Sequence, residues 1–221
     1  MDHPSDLYAR LAELAAQYGA QKLVLFGSRA RGDPRPSSDI DLAIYGMPEG
    51  SRSRFWAALE DLPTLLAFDL VHVSPATSQA LLENIAKDGV TLMDKAKEKR
   101  DKLADALARL EEAISEYTAA PSTVVRDGVI QRFEFCTELA WKAAREYLLD
   151  QGYTEINSPK STMRQAYSDG LIADQDGWLR LLEDRNPTSH LYDDATAGEV
   201  FQRIQGHHLA LFQALCQKLR G

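Results

Sequence analysis

Asp39 and Asp41 stand two residues apart in Asp39-Ile40-Asp41-Leu42-Ala43-Ile44-Tyr45, a stretch that alternates polar and apolar residues. Such alternation is the period of a half-buried strand, so both carboxylates point to one face and can hold the same divalent ions. A third carboxylate, Asp69, sits between apolar neighbours in Leu66-Ala67-Phe68-Asp69-Leu70-Val71-His72-Val73. A lone aspartate in an apolar strand is costly unless something ionic satisfies it, and a metal would do so. Three aspartates on adjacent strands have the shape of a two-metal phosphoryl-transfer site. Just upstream lies Gly27-Ser28-Arg29-Ala30-Arg31-Gly32. Gly27 and Ser28 offer backbone N–H groups and a hydroxyl to phosphates, and Arg29 and Arg31 offer positive charge. The two arginines, with Arg35, read equally well as solvated loop charges. Gly32 is followed by Asp33-Pro34 rather than Lys-Ser/Thr, which excludes a P-loop, and no G-x-G-x-x-G opens a helix.

A second group lies near the other end, in Asp184-Arg185-Asn186-Pro187-Thr188-Ser189-His190-Leu191-Tyr192. Pro187 disfavours helix at Asn186, so the chain turns there and can bring Arg185 and His190 together. Histidine moves protons near neutral pH and arginine stabilises charge developing on phosphate, so the pair suits phosphodiester cleavage without metal. The alternative is structural: Arg185 pairs with Glu183 or Asp184, and His190 caps a helix. His207 and His208 are adjacent on a helix and point different ways, which makes them poor joint ligands. Trp56, Trp141 and Trp178 read as core anchors, and Cys136 and Cys216 as small buried hydrophobes.

The elements that must carry these residues change character near residue 94. Before it, short β-rich runs alternate with helical patterns. Ser5 caps a helix ended by Gly19; Lys22–Phe26, residues 39–45 and residues 66–73 are strands; residues 51–62 and 76–88 are helices; Val90–Met93 adds an edge strand. After it, nearly everything is helical. Leu103, Leu107, Leu110, Ile114 and Tyr117 make the seam of a packed helix, Pro121-Ser122 breaks it, and a second long helix runs to about Leu149. Shorter helices follow at 160–169 and 174–184, and Thr196 with Glu199 has the capping-box spacing that starts the last one. The expected fold is α+β with two domains, 1–94 a small mixed-sheet domain and 95–221 an all-α up-and-down bundle.

With 221 residues, 44% of them hydrophobic and 26% charged, the chain is long enough for two small globular cores. No apolar run approaches the roughly 18 residues a membrane span needs, and two cysteines cannot make a disulfide framework. The acidic start Met-Asp-His-Pro-Ser-Asp is unlike a signal peptide. A cytoplasmic protein without membrane partners is expected. A net charge of −8 argues against non-specific nucleic-acid binding, although a local basic site remains open.

Gly27-Ser28 with Ser38-Asp39-Ile40-Asp41-Leu42 resembles the signature of the minimal nucleotidyltransferases of the DNA polymerase β-like superfamily. The resemblance covers nearly all of residues 1–94. It implies transfer of a nucleotidyl group from ATP or another NTP to a hydroxyl, with Mg²⁺ held by Asp39, Asp41 and Asp69. Asp69 would also activate the acceptor, and Gly27, Ser28 and the neighbouring Arg29, Arg31 and Ser38 would bind the nucleotide. Arg185-Asn186-x3-His190 resembles the motif of HEPN domains. Phe133-Glu134-Phe135-Cys136-Thr137-Glu138-Leu139-Ala140-Trp141-Lys142 resembles the HEPN branch called nucleotidyltransferase substrate-binding proteins. This second resemblance covers residues 95–221. It implies a homodimer through the helical domain and an RNase site at Arg185 and His190. In toxin–antitoxin pairs of the two families, the nucleotidyltransferase adenylylates the tyrosine of Arg-x4-His-x-Tyr and silences the RNase; Tyr192 occupies that position. Other readings stay open: a small-molecule nucleotidyltransferase with the helical domain as substrate-binding lid, an RNase restrained by a non-catalytic nucleotidyltransferase half, and a nucleotide sensor.

Overall fold

A computed structural model describes residues 4–153, 156–185 and 194–220, which divide into two compact units, Met1–Lys95 and Ala96–Gly221. His190 and Tyr192 lie outside the described residues.

The first unit runs α1 (Pro4–Gln17), β1 (Lys22–Phe26), α2 (Gly27–Arg31), β2 (Ile40–Tyr45), α3 (Glu49–Glu60), β3 (Phe68–Val73), α4 (Gln79–Asp88) and β4 (Val90–Asp94). The four strands form one mixed sheet in the order β3-β2-β1-β4. β1 is antiparallel to both its neighbours, and β2 is parallel to β3. A parallel pair needs a crossover, which α3 supplies. Period 2 then divides the strands between two faces. Leu23, Leu25, Ile40, Leu42 and Ile44 pack with Leu11 and Ala15 of α1 and Phe55 and Leu59 of α3 in the larger core. Val24 and Ala43 turn the other way and meet Ile85 of α4 in a smaller one. Asp39, Asp41 and Asp69 are in phase with Ala43 and so belong to this thinly covered face. α1 begins at Pro4, one residue before the expected cap.

The second unit is helical: α5 (Lys95–Ala119), α6 (Thr123–Asp150), α7 (Pro159–Ser168), α8 (Gln175–Asp184), α9 (Asp194–Arg203), a π-helical turn (Ile204–His208) and α10 (Leu209–Arg220). Leu103, Leu107 and Leu110 of α5 are buried against Val129, Phe133, Ala140 and Leu148 of α6 and Trp178 of α8. Ser122 caps α6, its side chain accepting from the Val125 N–H at 3.2 Å. The capping box is Ser158 with Ser161 at α7, followed by Pro159 in the first turn. Thr196 and Glu199 do not make one: α9 has already begun at Asp194, so Thr196 is inside the helix. Trp56 is also a correction. It is 42% exposed, because α3 buries Phe55 and Leu59 and turns Trp56 outward. Cys136 and Cys216 are buried as expected. Among the described residues no helix is long and apolar enough to cross a membrane.

Candidate active site

The carboxylates meet where β1, β2 and β3 lie side by side. Phe26 pairs with Asp41, and Asp41 pairs with Asp69 across the parallel ladder. Asp39 stands one residue before β2 begins, close enough that its charge acts on Asp41. Gly27 follows Phe26 directly, with φ of +71°. A Cβ built on it would land on the Asp41 carboxylate, 2.9 Å from its Cγ. Only glycine lets the chain turn there with the backbone lying against that carboxylate. Ser28 sits in the first turn of α2, and its carbonyl accepts from the Asp33 N–H at 3.1 Å, closing the loop.

Arg29 is not left as a free loop charge. Its guanidinium donates to the Ser38 carbonyl (2.7 and 3.1 Å) and to the Asp39 carbonyl (3.1 Å). The Ser38 hydroxyl accepts from the Arg35 N–H at 2.9 Å. Arg29 and Ser38 therefore brace the backbone that delivers Asp39 into β2. Arg31 faces Asp33 at 3.5 Å and Asp88 at 4.0 Å.

Asp69 departs from the expectation of a carboxylate stranded in an apolar strand. It is exposed, because β3 is an outer strand of the sheet. The electrostatic cost falls on Asp41 instead. Burial and the charges of Asp69 and Asp39 push its carboxyl above the usual carboxylate range, and Arg31 and Arg29 only partly offset them. Among the described residues no three His, Cys, Asp or Glu side chains are gathered tightly enough to hold an ion by themselves. The donors are hard carboxylate oxygens crowded enough to repel one another, which suits a Mg²⁺ ion that takes one or two carboxylates and completes its shell with phosphate oxygens. A raised carboxyl pKa means ionised Asp41 costs stability near neutral pH. Asp41→Asn is therefore expected to raise the melting temperature of the ligand-free protein while abolishing any Mg²⁺-dependent rise, both read by calorimetry. A lower melting temperature would contradict the repulsion.

In the second unit Arg185 is the C-terminal cap of α8. Its partner is Glu138 of α6, not Glu183 or Asp184. Glu183 pairs with Lys160 at 3.2 Å. Glu138 also accepts from Lys142 (2.8 Å) and from the Trp141 indole (3.1 Å). Burial pushes the Glu138 carboxyl up, but these hydrogen bonds and the Arg185 charge outweigh it and the net direction is down. Glu138 thus holds Arg185 at the helix end as an anion. Asp184 turns inward, where Arg203 grips both its oxygens (2.8 and 2.9 Å) and the buried His208 Nε2 lies 2.7 Å away. His208 stacks on Phe133, centroids 5.4 Å apart. Sequence spacing concealed this network. Arg203 and His208 are five apart, a separation that shares a face only through the π turn between them.

Residues 98–221 match the family described as nucleotidyltransferase substrate binding protein like, and residues 10–98 match the polymerase beta nucleotidyltransferase domain. The chain belongs to the nucleotidyltransferase substrate-binding protein family. It carries that domain behind a polymerase β-type nucleotidyltransferase domain, and its fold is the corresponding α+β sheet domain plus helical bundle. A curated relative, the probable ribonuclease HepT of Haemophilus influenzae, is 36% identical over 84 residues, 35% of this chain and 56% of that protein. The chain thus spans just over half the length of that relative. A crystal structure of a Thermus thermophilus protein is 35% identical and superimposes on 54% of this chain and 99% of its own, with a TM-score of 0.49. A Haemophilus influenzae structure, described as the fold of a substrate binding domain of a nucleotidyltransferase, is 29% identical, covering 55% and 99%, also at 0.49. The two family matches give the chain a polymerase β-type nucleotidyltransferase domain joined to a nucleotidyltransferase substrate-binding domain.

Proposed function

We propose that residues 1–94 form a minimal nucleotidyltransferase domain that moves an adenylyl group from ATP to a hydroxyl, and that this hydroxyl is the phenol of Tyr192. Residues 95–221 are then a HEPN-type RNase domain, and the chain as a whole is a toxin–antitoxin-like, self-silencing cytoplasmic protein that pairs as a homodimer through its helical half. The observation that carries the reading is the row Phe26, Asp41, Asp69 across three adjacent strands, with Gly27 directly after Phe26 and lying against the Asp41 carboxylate, and Asp39 just before β2 with its charge acting on Asp41. Asp39, Asp41 and Asp69 would hold Mg²⁺, which when bound neutralises triphosphate charge. Gly27 and Ser28 lay backbone and hydroxyl against the phosphates. Asp69 is exposed, as a base that must reach an incoming acceptor has to be. It takes the phenol proton as the phenolate oxygen bonds to the α-phosphorus and pyrophosphate leaves. Arg185, anchored by Glu138, and His190 would cut RNA, and AMP on the neighbouring Tyr192 would block them by bulk and charge. The similarity to a probable ribonuclease supports this second activity.

Intact mass before and after incubation with ATP and Mg²⁺ tests the reading. Wild-type chain is expected to carry one AMP, and Asp39→Ala and Tyr192→Phe none. Label that survives Tyr192→Phe would move the acceptor elsewhere. An unlabelled wild type would favour a small-molecule acceptor. RNA cleavage by the unlabelled protein, lost in His190→Ala, is expected alongside.

A further inference from the structure

The outer edge of β3 faces no other strand among the described residues. Beside it α3 turns Arg52, Ser53 and Trp56 toward Phe68, Leu70 and His72, leaving an open groove of about 490 Å³ that also reaches Asp69. The groove is cationic at one end and lined mainly by apolar side chains at the other. At the His72 end, Arg52 Nε and His72 Nδ1 are buried with no hydrogen-bond partner among the described residues. Among the described residues Arg52 makes one ion pair, a long one with Glu49 at 4.0 Å, and Glu49 is itself 89% exposed. At the Phe68 end, Trp56 is 42% exposed and donates its indole N–H to Glu60 at 3.0 Å, and the groove continues past Leu66 and Phe68. Leu65, just before β3, is wholly exposed. A free strand edge next to an apolar and cationic trough is the layout of a site for an added peptide strand.

The register of such a strand follows from the pleat. Asp69 lies on the sheet face of Asp41, while Phe68, Leu70 and His72 lie on the face of α3. A peptide paired with β3 and bearing its acceptor hydroxyl on the Asp69 face must send both neighbours of that residue into the groove. In a peptide that runs parallel to β3, the preceding residue meets Phe68 and Trp56, and the following one lies over Leu70 with Arg52 and His72 next beyond it; an antiparallel peptide reverses the order. We infer that the groove along β3 is the acceptor site, and that it takes an extended peptide, added parallel to β3, in which the hydroxyl-bearing residue is preceded by an apolar and followed by an acidic residue. Leu191-Tyr192-Asp193 has that order. The inference rests on the reading that the acceptor belongs to a protein. It adds a specificity that the aspartates alone do not supply.

The test uses a fluorescent peptide with the sequence of residues 188–195 and full-length protein carrying Tyr192→Phe and Asp193→Lys, so that the protein's own segment is neither acceptor nor competitor. Binding is read by anisotropy, and transfer by peptide mass with ATP and Mg²⁺. Asp193→Lys in the peptide, or Arg52→Glu in the protein, is expected to weaken binding about tenfold or more. Combining the reversed peptide with an Arg52→Glu protein that retains Asp193 is expected to restore it. Trp56→Ala is expected to weaken binding without changing the charge preference. Peptide labelled equally well with and without Arg52→Glu would overturn the groove and leave the transfer reading standing. Charge-dependent binding without label would do the reverse. No binding, or peptide displaced by ATP at the groove, would also overturn it.

Discussion

Gly27→Ala is expected to abolish nucleotidyl transfer while leaving the helical unit folded. Two costs combine. The residue holds φ at +71°, a conformation that costs a non-glycine residue about 1–3 kcal/mol. The added methyl group also lands on the Asp41 carboxylate. Asp41 is paired on both sides, with Phe26 and with Asp69, so the carboxylate can yield only by swinging out of its row. Displacing a reacting or ligating group by about 1 Å can cost ~100-fold in rate, and at least that loss is expected in the initial rate of AMP incorporation. Circular dichroism should show the helical content retained. Gly32→Ala is the control: its φ is +80°, yet no atom lies near a Cβ there, so it should lose stability and keep most of its rate. Equal rate losses in the two variants would locate the effect in backbone strain rather than in the contact with Asp41.

Asp184→Ala is expected to be the most destabilising single change in the helical unit. The substitution leaves Arg203 and the fully buried His208 without their shared acceptor. Leaving a buried hydrogen-bonding group without its partner costs about 1–3 kcal/mol, or roughly a 5–10 °C fall in melting temperature for a unit of this size. The same network sets an acid limit. Burial pushes the Asp184 carboxyl up, but hydrogen bonds from Arg203 and His208 outweigh it and the net direction is down. Burial also pushes His208 down, more strongly than Asp184 pulls it up. Both groups therefore bind protons more readily unfolded than folded, so each contributes stability that is lost as pH falls. The His208 contribution goes first, below about pH 6.5, and the Asp184 contribution follows below about pH 3.9. Calorimetry from pH 8 to 4 should show the helical transition falling steadily through the histidine range. His208→Phe, which stacks on Phe133 but cannot titrate, should flatten that slope.

Much of the architecture was legible because it is local. The strands at 22–26, 40–45 and 68–73 follow from runs of apolar and alternating residues, and the long helices follow from the leucine seam and the break at Pro121. Gly27, Asp39 and Asp41 could be read as one constellation because strand period and turn chemistry act over a few residues. Cap positions were less legible. Thr196 and Glu199 have the spacing of a capping box, yet the helix had already started, while Ser158 with Ser161 fills that role without the acidic residue usually sought. A cap depends on where the preceding chain arrives, which neighbouring packing decides. Trp56 was misplaced for a related reason. Phe55 and Leu59 already satisfy the inward face of α3, and an adjacent residue on a helix points about 100° away.

By itself the sequence determined which side chains share a strand face and where the chain turns on a glycine after β1, since both follow from the geometry of consecutive residues. Tertiary structure decided everything that depends on which distant elements become neighbours. It placed β3 at the rim of the sheet, so Asp69 is open to solvent and the strain of the site is borne by Asp41. It gave Arg185 to Glu138, 47 residues earlier in the chain. Through one π turn it brought His208 inside to share Asp184 with Arg203. Charge pairing falls off steeply with distance and depends on desolvation, so the partner of a charged residue is set by packing rather than by spacing along the chain.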